Sequence, residues 1–255
     1  MSGAIMCLTF LLYQMKILYI FPHPDDESYG PAGAIYAQRQ EGHEVHLLTL
    51  TKGGATKERF RLGLSVEEMG EIRVFEMQEV AKVLNLSSLN IWDWTDNGMQ
   101  DMDPRSMEKE IADFILDLKP QIVVTYPVHG ISGFHDHLVC HAIVKRAFLD
   151  LKENAENQFL KRLAFFTIID NGSPTFSPEG FARMRHSAEE RIDCELNISD
   201  EAFQKNLEAL DCYKTYQAVI EISKIKEKIS KTVHYEFYNE DFKPALAGID
   251  QNIVL

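Results

Sequence analysis

The sequence predicts an α/β fold, a mostly parallel sheet covered by helices on both faces, and three features predict it. Strand-length apolar runs alternate with helix-length amphipathic stretches along most of the chain. Two of those runs, 17–21 (ILYIF) and 121–126 (QIVVTY), read as strands buried on both faces, which parallel sheets require. The chain has 255 residues, 45% of them apolar and 25% charged, the usage of an ordinary globular protein with a sizeable core.

The elements follow in order. After the strand at 17–21, residues 31–41 read as a helix ended by Gly42, and 44–50 (EVHLLTL) as a strand stopped at Gly53–Gly54. A helix over 65–84 opens with the capping box Ser65-x-x-Glu68, whose side chains satisfy N–H groups left free at a helix start. Residues 89–94 form a short strand, and 105–118 an amphipathic helix stopped before Pro120. The strand at 121–126, a helix over 138–151, a strand at 163–169 (LAFFTII) and a largely helical stretch over 200–229 complete the pattern. Such β-α alternation implies a Rossmann-like sheet, and ligands of these sheets sit beyond the carboxyl ends of the strands. The first strand is not followed by G-x-G-x-x-G and no Walker lysine motif occurs, which argues against a nucleotide-binding module.

Charge and cysteine usage narrow the partners. Lys and Arg number 26 against 39 Asp and Glu, a net charge of −13, and no stretch is rich in basic residues. A nucleic-acid groove or an anionic membrane surface is therefore not expected; a small-molecule substrate is. Cys7, Cys140, Cys194 and Cys212 are scattered without a C-x-x-C pair and read as reduced thiols of a cytoplasmic protein. The apolar run at 4–13 is too short to span a bilayer and has no basic leader, so 1–14 is read as an N-terminal extension and 15–255 as a single domain. A homo-oligomer is expected, as for many soluble enzymes.

Two polar clusters fall at strand ends. Directly after ILYIF stands Pro22-His23-Pro24-Asp25-Asp26-Glu27, three adjacent carboxylates and a histidine whose mutual repulsion needs a cation or a solvated loop. His23 and Asp26 offer the nitrogen and oxygen ligands that Zn²⁺ takes, and Asp25 is left to accept a proton from an activated water. The plainer reading is an acidic turn ahead of a helix. After QIVVTYP, four of the nine histidines (129, 135, 137 and 141) lie within thirteen residues. His137, at the expected helix start, is the favoured third ligand; His141, one turn on, reads as packed or hydrogen-bonded; Asp136 reads as a carboxylate that orients a histidine. The plainer reading here is a His-rich surface turn. An N/O site of this kind takes Fe²⁺ or another divalent ion as readily as Zn²⁺.

Together, PHPDDE after the first strand and a Gly-rich stretch ending in Asp136-His137 resemble the LmbE-like, or PIG-L, family of zinc-dependent N-acetylglucosamine de-N-acetylases. Weaker likenesses are Thr51-Lys52-Gly53-Gly54, Glu71-Ile72-Arg73-x-x-Glu76 and Tyr213-Lys214-Thr215-x-Gln217. The resemblance implies His23, Asp26 and His137 as zinc ligands, Asp25 as general base and Arg73 as a substrate-binding residue. The wording GISGFHDH looks most like the second type of bacillithiol-biosynthesis deacetylase, which implies N-acetylglucosaminyl-malate as substrate. One departure stands out. The family's H-x-D-H has a histidine where this chain has Phe134. The acid role therefore falls either to His135 or His129 on an altered loop or, the favoured reading, to Asp25 working in both directions with His135 assisting.

Overall fold

The computed structural model describes residues 14–170 and 184–254. The expected extension at 1–14 lies outside them, save for Gln14. The elements run β1 (Lys16–Phe21), α1 (Ala32–Gln40), β2 (Glu44–Thr51), α2 (Glu58–Leu62), α3 (Val66–Val83), β3 (Ser88–Trp94), α4 (Pro104–Leu118) and β4 (Ile122–Thr125). They continue with α5 (His135–Lys152), β5 (Arg162–Thr167), β6 (Cys194–Asn197), α6 (Asp200–Cys212), α7 (Gln217–Ser223), α8 (Ile225–Lys228) and β7 (Thr232–Phe237).

Seven strands form one sheet in the order β3-β2-β1-β4-β5-β7-β6. The first five are parallel, while β7 pairs antiparallel with both β5 and β6. The chain leaves β1 toward β2 and β3 on one side and later returns to β4 on the other. The carboxyl ends of β1 and β4 therefore flank the point where the winding reverses, the place where such sheets open a crevice.

Alternation along the strands divides the interior into two cores. Ile17, Tyr19 and Phe21 of β1 pack with residues of α1, α3 and α6, whereas Leu18 and Ile20 pack with residues of α4 and α5. That is the period-2 pleat of a strand with helices on each side. The expected capping box is formed: Ser65 Oγ accepts from the Glu68 N–H at 3.1 Å, and Glu68 Oε2 from the Ser65 N–H at 2.9 Å. Helix α4 starts with Asp103 as N-cap and Pro104 in its first position, and stops at Lys119 in a left-handed conformation before Pro120.

Three expectations need correction. Helix α5 begins at His135, not near residue 138, so Asp136 and His137 already lie on its first turn. The stretch 200–229 is not one helix: α6 ends at Cys212, and Lys224, left-handed with φ 53°, separates α7 from α8. Strands β6 and β7 were not expected. β6 is a four-residue strand alternating buried and exposed residues, too short to give a run, and β7 carries His234 and Glu236 among its apolar residues.

Candidate metal centre at the carboxyl ends of β1 and β4

The loop after β1 folds onto itself. Asp26 Oδ2 accepts from the backbone N–H of His23 at 2.9 Å, and the Asp25 carbonyl accepts from the N–H groups of Ser28 and Tyr29. Asp25 adopts φ +87°, a region costly for a residue with a side chain and held only where the surroundings enforce it. The enforcing contacts come from two distant segments. The Asp25 N–H donates to Tyr213 Oη at 2.8 Å, and that hydroxyl donates to Glu27 Oε1 at 2.7 Å. Arg73, 2% exposed, donates to Asp25 Oδ2 and the Pro24 carbonyl, both at 2.6 Å, and to the Gly53 carbonyl at 2.9 Å.

The weaker sequence likenesses thus bind one another around this loop. Glu76 accepts from the Thr215 N–H and Oγ1, each at 2.7 Å, and Gln217 donates to the carbonyls of Leu210 and Tyr213. Gly53 has to be glycine: it stands at φ +65°, and a Cβ there would lie 2.5 Å from Arg73 Nη1.

The second loop brings His137 to the first. Nδ1 of His137 lies 2.9 Å from the Gly130 carbonyl and 3.1 Å from Ser132 Oγ. A carbonyl only accepts, so Nδ1 carries the proton and Nε2 presents its lone pair, 3.3 Å from Asp26 Oδ1. Gly130, at φ +61°, would place a Cβ 2.8 Å from His137 Cβ, so glycine permits this close approach. Tyr126 stacks on the His137 ring at 4.3 Å and donates its hydroxyl to Asp26 Oδ1 at 2.8 Å.

His23 is fixed from its other side. Its Nε2 faces Asp136 Oδ2 at 3.0 Å and Asp96 Oδ1 at 3.3 Å, which makes Nε2 the protonated nitrogen and turns Nδ1 toward Asp26 Oδ2 at 3.6 Å. Asp136 is itself held by the N–H groups of Asn97 and Met99, and Asp96 accepts from the Ala55 N–H. His23, Asp26 and His137 each offer a ligand atom, all within 4.8 Å of one another; His23, Asp96 and Asp136 form a second such group. In the first group two imidazole lone pairs and a carboxylate converge, each histidine with its outer nitrogen anchored. That donor set fits a divalent cation with N/O preference and leaves room for further ligands.

Electrostatics follow the same geometry. Burial opposes the charge of Asp26, but the imidazoles of His137 and His23 outweigh it and hold its carboxyl at about 2. Burial raises Asp25 to about 6, against the pull of Arg73 and with the push of Asp26. Burial alone would lower His23; the carboxylates of Asp136, Asp26 and Asp96 overcome it and raise the imidazole. Burial lifts Glu27 to about 7, offset in part by hydrogen bonds from Ser28 and Tyr213.

Of the residues singled out in the sequence, His23, Asp25, Asp26, Asp136 and His137 come together with Arg73 packed beneath them. His135 does not: it is exposed, and lying two residues from His137 on one helix it faces away from it. His141 is buried, bonded through Nδ1 to the Tyr126 carbonyl and packed on Phe165. Asp96, Tyr126, Glu27 and Tyr213 were not chosen as site residues. The signal for Asp96 and Tyr126 was their place at a strand's carboxyl end; Tyr213 carried only the weak likeness of the segment Tyr213-Lys214-Thr215-x-Gln217.

With the geometry in place, comparison with known proteins decides the family. The PIG-L family, described as GlcNAc-PI de-N-acetylase, matches residues 18–148, which include both loops and the three converging residues His23, Asp26 and His137. The chain belongs to the PIG-L family. Removal of an N-acetyl group is hydrolysis of an amide, so PIG-L membership puts it among the amide hydrolases. It is 29% identical over 153 residues to a 1D-myo-inositol 2-acetamido-2-deoxy-α-D-glucopyranoside deacetylase of Thermomonospora curvata, covering 52% of each chain, so it spans about half of that relative. It is 26% identical over 228 residues to a probable N-acetyl-α-D-glucosaminyl L-malate deacetylase 2 of Bacillus anthracis, covering 87% of this chain and 92% of the relative. Among solved structures, teicoplanin deacetylase Orf2 in a zinc-inhibited form superposes with TM-score 0.64 at 13% identity, over 89% of this chain and 100% of that one. GalB, the 4-carboxy-2-hydroxymuconate hydratase of Pseudomonas putida KT2440, superposes with TM-score 0.65 at 16% identity, over 90% and 98%. A hydratase and a deacetylase share this PIG-L-like fold, so fold alone does not select the reaction.

Proposed function

We propose that the protein is a divalent-metal-dependent hydrolase that removes the acetyl group from an N-acetylglucosaminide, with Zn²⁺ as the metal and N-acetylglucosaminyl-malate as the substrate. The observation that carries the reading is the convergence of His23 Nδ1, the Asp26 carboxylate and His137 Nε2, with the outer nitrogen of each histidine anchored. A bound divalent ion there supplies Lewis-acid polarisation of the acetamide carbonyl and acidifies the attacking water.

The chain's own groups do the rest. Asp25, raised to about 6 by burial, stands close to neutrality, where a carboxylate both accepts a proton from water and returns it to the departing nitrogen. Arg73 and Tyr213 hold that carboxylate in its left-handed backbone position. Asp136 and Asp96 keep the proton on His23 Nε2, so that Nδ1 remains a donor. The malate assignment is supported by the Bacillus anthracis relative, which is similar over most of both chains. Arg73, which the resemblance implies as a substrate-binding residue, donates instead to Asp25, Pro24 and Gly53. A cytoplasmic setting is supported by the unpaired thiols of Cys140, Cys194 and Cys212, and no described helix is long and apolar enough to cross a membrane.

Acetate release from N-acetylglucosaminyl-malate, N-acetylglucosaminyl-inositol and free N-acetylglucosamine, with Zn²⁺ or Fe²⁺ loaded, tests the proposal. The expected result is a higher kcat/KM for the malate glycoside. Equal rates on all three defeat the malate assignment, and no acetate from any of them defeats the hydrolase reading.

A further inference from the structure

Between Gly130 and Phe134 the chain departs from local preference three times, all beside the metal-ligating His137. Ile131 adopts φ +58°, an outlier for a β-branched residue. Phe134 occupies the N-cap of α5 with no side-chain cap bond, where Ser, Thr, Asp or Asn would satisfy a free N–H. The residue is 61% exposed, whereas most of the large apolar side chains among the described residues are buried. Places where a sequence breaks several local rules together are where function is expected to outweigh stability.

The position of the ring gives it a use. Its centroid lies 5.6 Å from that of His137, the two planes at 67°. Leu138, 37% exposed, follows one turn later on the same face of α5 and extends the apolar surface. The acetamide of an N-acetylglucosaminide hangs directly from a carbon of the pyranose ring. When its carbonyl is presented to the atoms that converge on Asp26, the sugar ring lies within a few bond lengths of His137. A glucosamine ring carries its substituents around its edge and shows C–H groups on its faces. Those hydrogens, made slightly positive by neighbouring oxygens, suit the negative face of an aromatic ring.

We propose that Phe134 is the platform on which the substrate's pyranose ring lies, a specificity-determining contact made by a residue that neither ligates the metal nor moves a proton. The inference rests on the N-acetylglucosaminide reading above. It makes the aromatic residue at this position a reader of the sugar, whatever aglycone the sugar bears.

The test compares Phe134→Ala, Phe134→Leu and Phe134→Trp in the metal-loaded full chain. It uses the N-acetylglucosaminide turned over fastest, together with equilibrium binding of N-acetylglucosamine by calorimetry. Leucine keeps apolar bulk but has no π face, so Ala and Leu should both raise KM and the binding Kd about tenfold. The loss should fall in KM rather than kcat, bound metal should stay at the wild-type level, and Trp should restore KM and Kd. Unchanged KM and Kd in Ala and Leu overturn the platform. So does a loss confined to kcat and accompanied by weaker metal binding, which would make Phe134 a support for His137. Binding that depends on Phe134 without acetate release would uphold the platform and defeat the hydrolase reading alone.

Discussion

Replacing Arg73 by methionine separates a scaffold role from a substrate contact. The guanidinium is 2% exposed and makes three hydrogen bonds, one of them to the Asp25 carboxylate at 2.6 Å. Methionine keeps the volume but leaves Asp25 buried without its cation and the carbonyls of Pro24 and Gly53 without donors. Breaking a buried ion pair from one side costs about 3–5 kcal/mol. At 2–4 °C per kcal/mol for a chain of this size, Tm should fall by roughly 6–20 °C. The loss should depend on pH. Asp25 titrates near 6 with Arg73 in place, and removing the cation raises it further. The variant therefore binds a proton that the wild type has already released, and the stability gap should widen as pH rises through 6 and narrow below it. Thermal unfolding of the metal-free protein at pH 5 and pH 7.5 measures both effects. A Tm within 2 °C of wild type, with KM raised only for acidic substrates, would show that Arg73 faces the ligand and that its burial has been misread.

The other outcomes are as specific. Asp25→Asn should keep the metal while turnover falls roughly 10²–10⁴-fold, measured as acetate release alongside metal content; full activity would remove Asp25 from proton transfer. Asp136→Asn takes away the charge that fixes His23 Nε2 and should weaken Zn²⁺ affinity roughly 10–100-fold in a chelator competition, and unchanged affinity would make that contact incidental. Burial, with the nearby guanidinium groups of Arg191 and Arg185, lowers His129 from 6.5 to about 4. The unfolded chain then binds more protons than the folded one between those values, so stability is full above 6.5 and drains as pH falls toward 4. His129→Gln should shrink the Tm difference between pH 7 and pH 5, and an unaltered difference would count against that assignment.

The parallel strands were legible because burial on both faces leaves near-continuous apolar runs, as in residues 17–21. The helix at 66–83 was legible from its capping box, Ser65 with Glu68, and that at 104–118 from its amphipathic pattern and the proline that follows it. The antiparallel edge was not, because β6 shows its outer face to solvent over only four residues. At the site, His23, Asp26 and His137 could be read because each stands within a cluster of unusual composition just past a strand. Asp96 and Tyr126 share that location without the cluster, and Tyr213 reaches Asp25 across 188 positions through tertiary packing alone. Arg73 was read as a substrate-binding residue, whereas its guanidinium bonds Asp25, Pro24 and Gly53. A helical arginine carries no sequence mark that tells a buried guanidinium from one facing the crevice.

One cation held between the two loops would organise the whole site, and Zn²⁺ binding measured by equilibrium dialysis tests that most directly. The wild-type chain should take up one tightly bound ion, and His23→Ala, Asp26→Asn and His137→Ala should each abolish it while leaving the secondary structure unchanged by circular dichroism. One ion retained at full affinity in the His137→Ala protein would contradict the account.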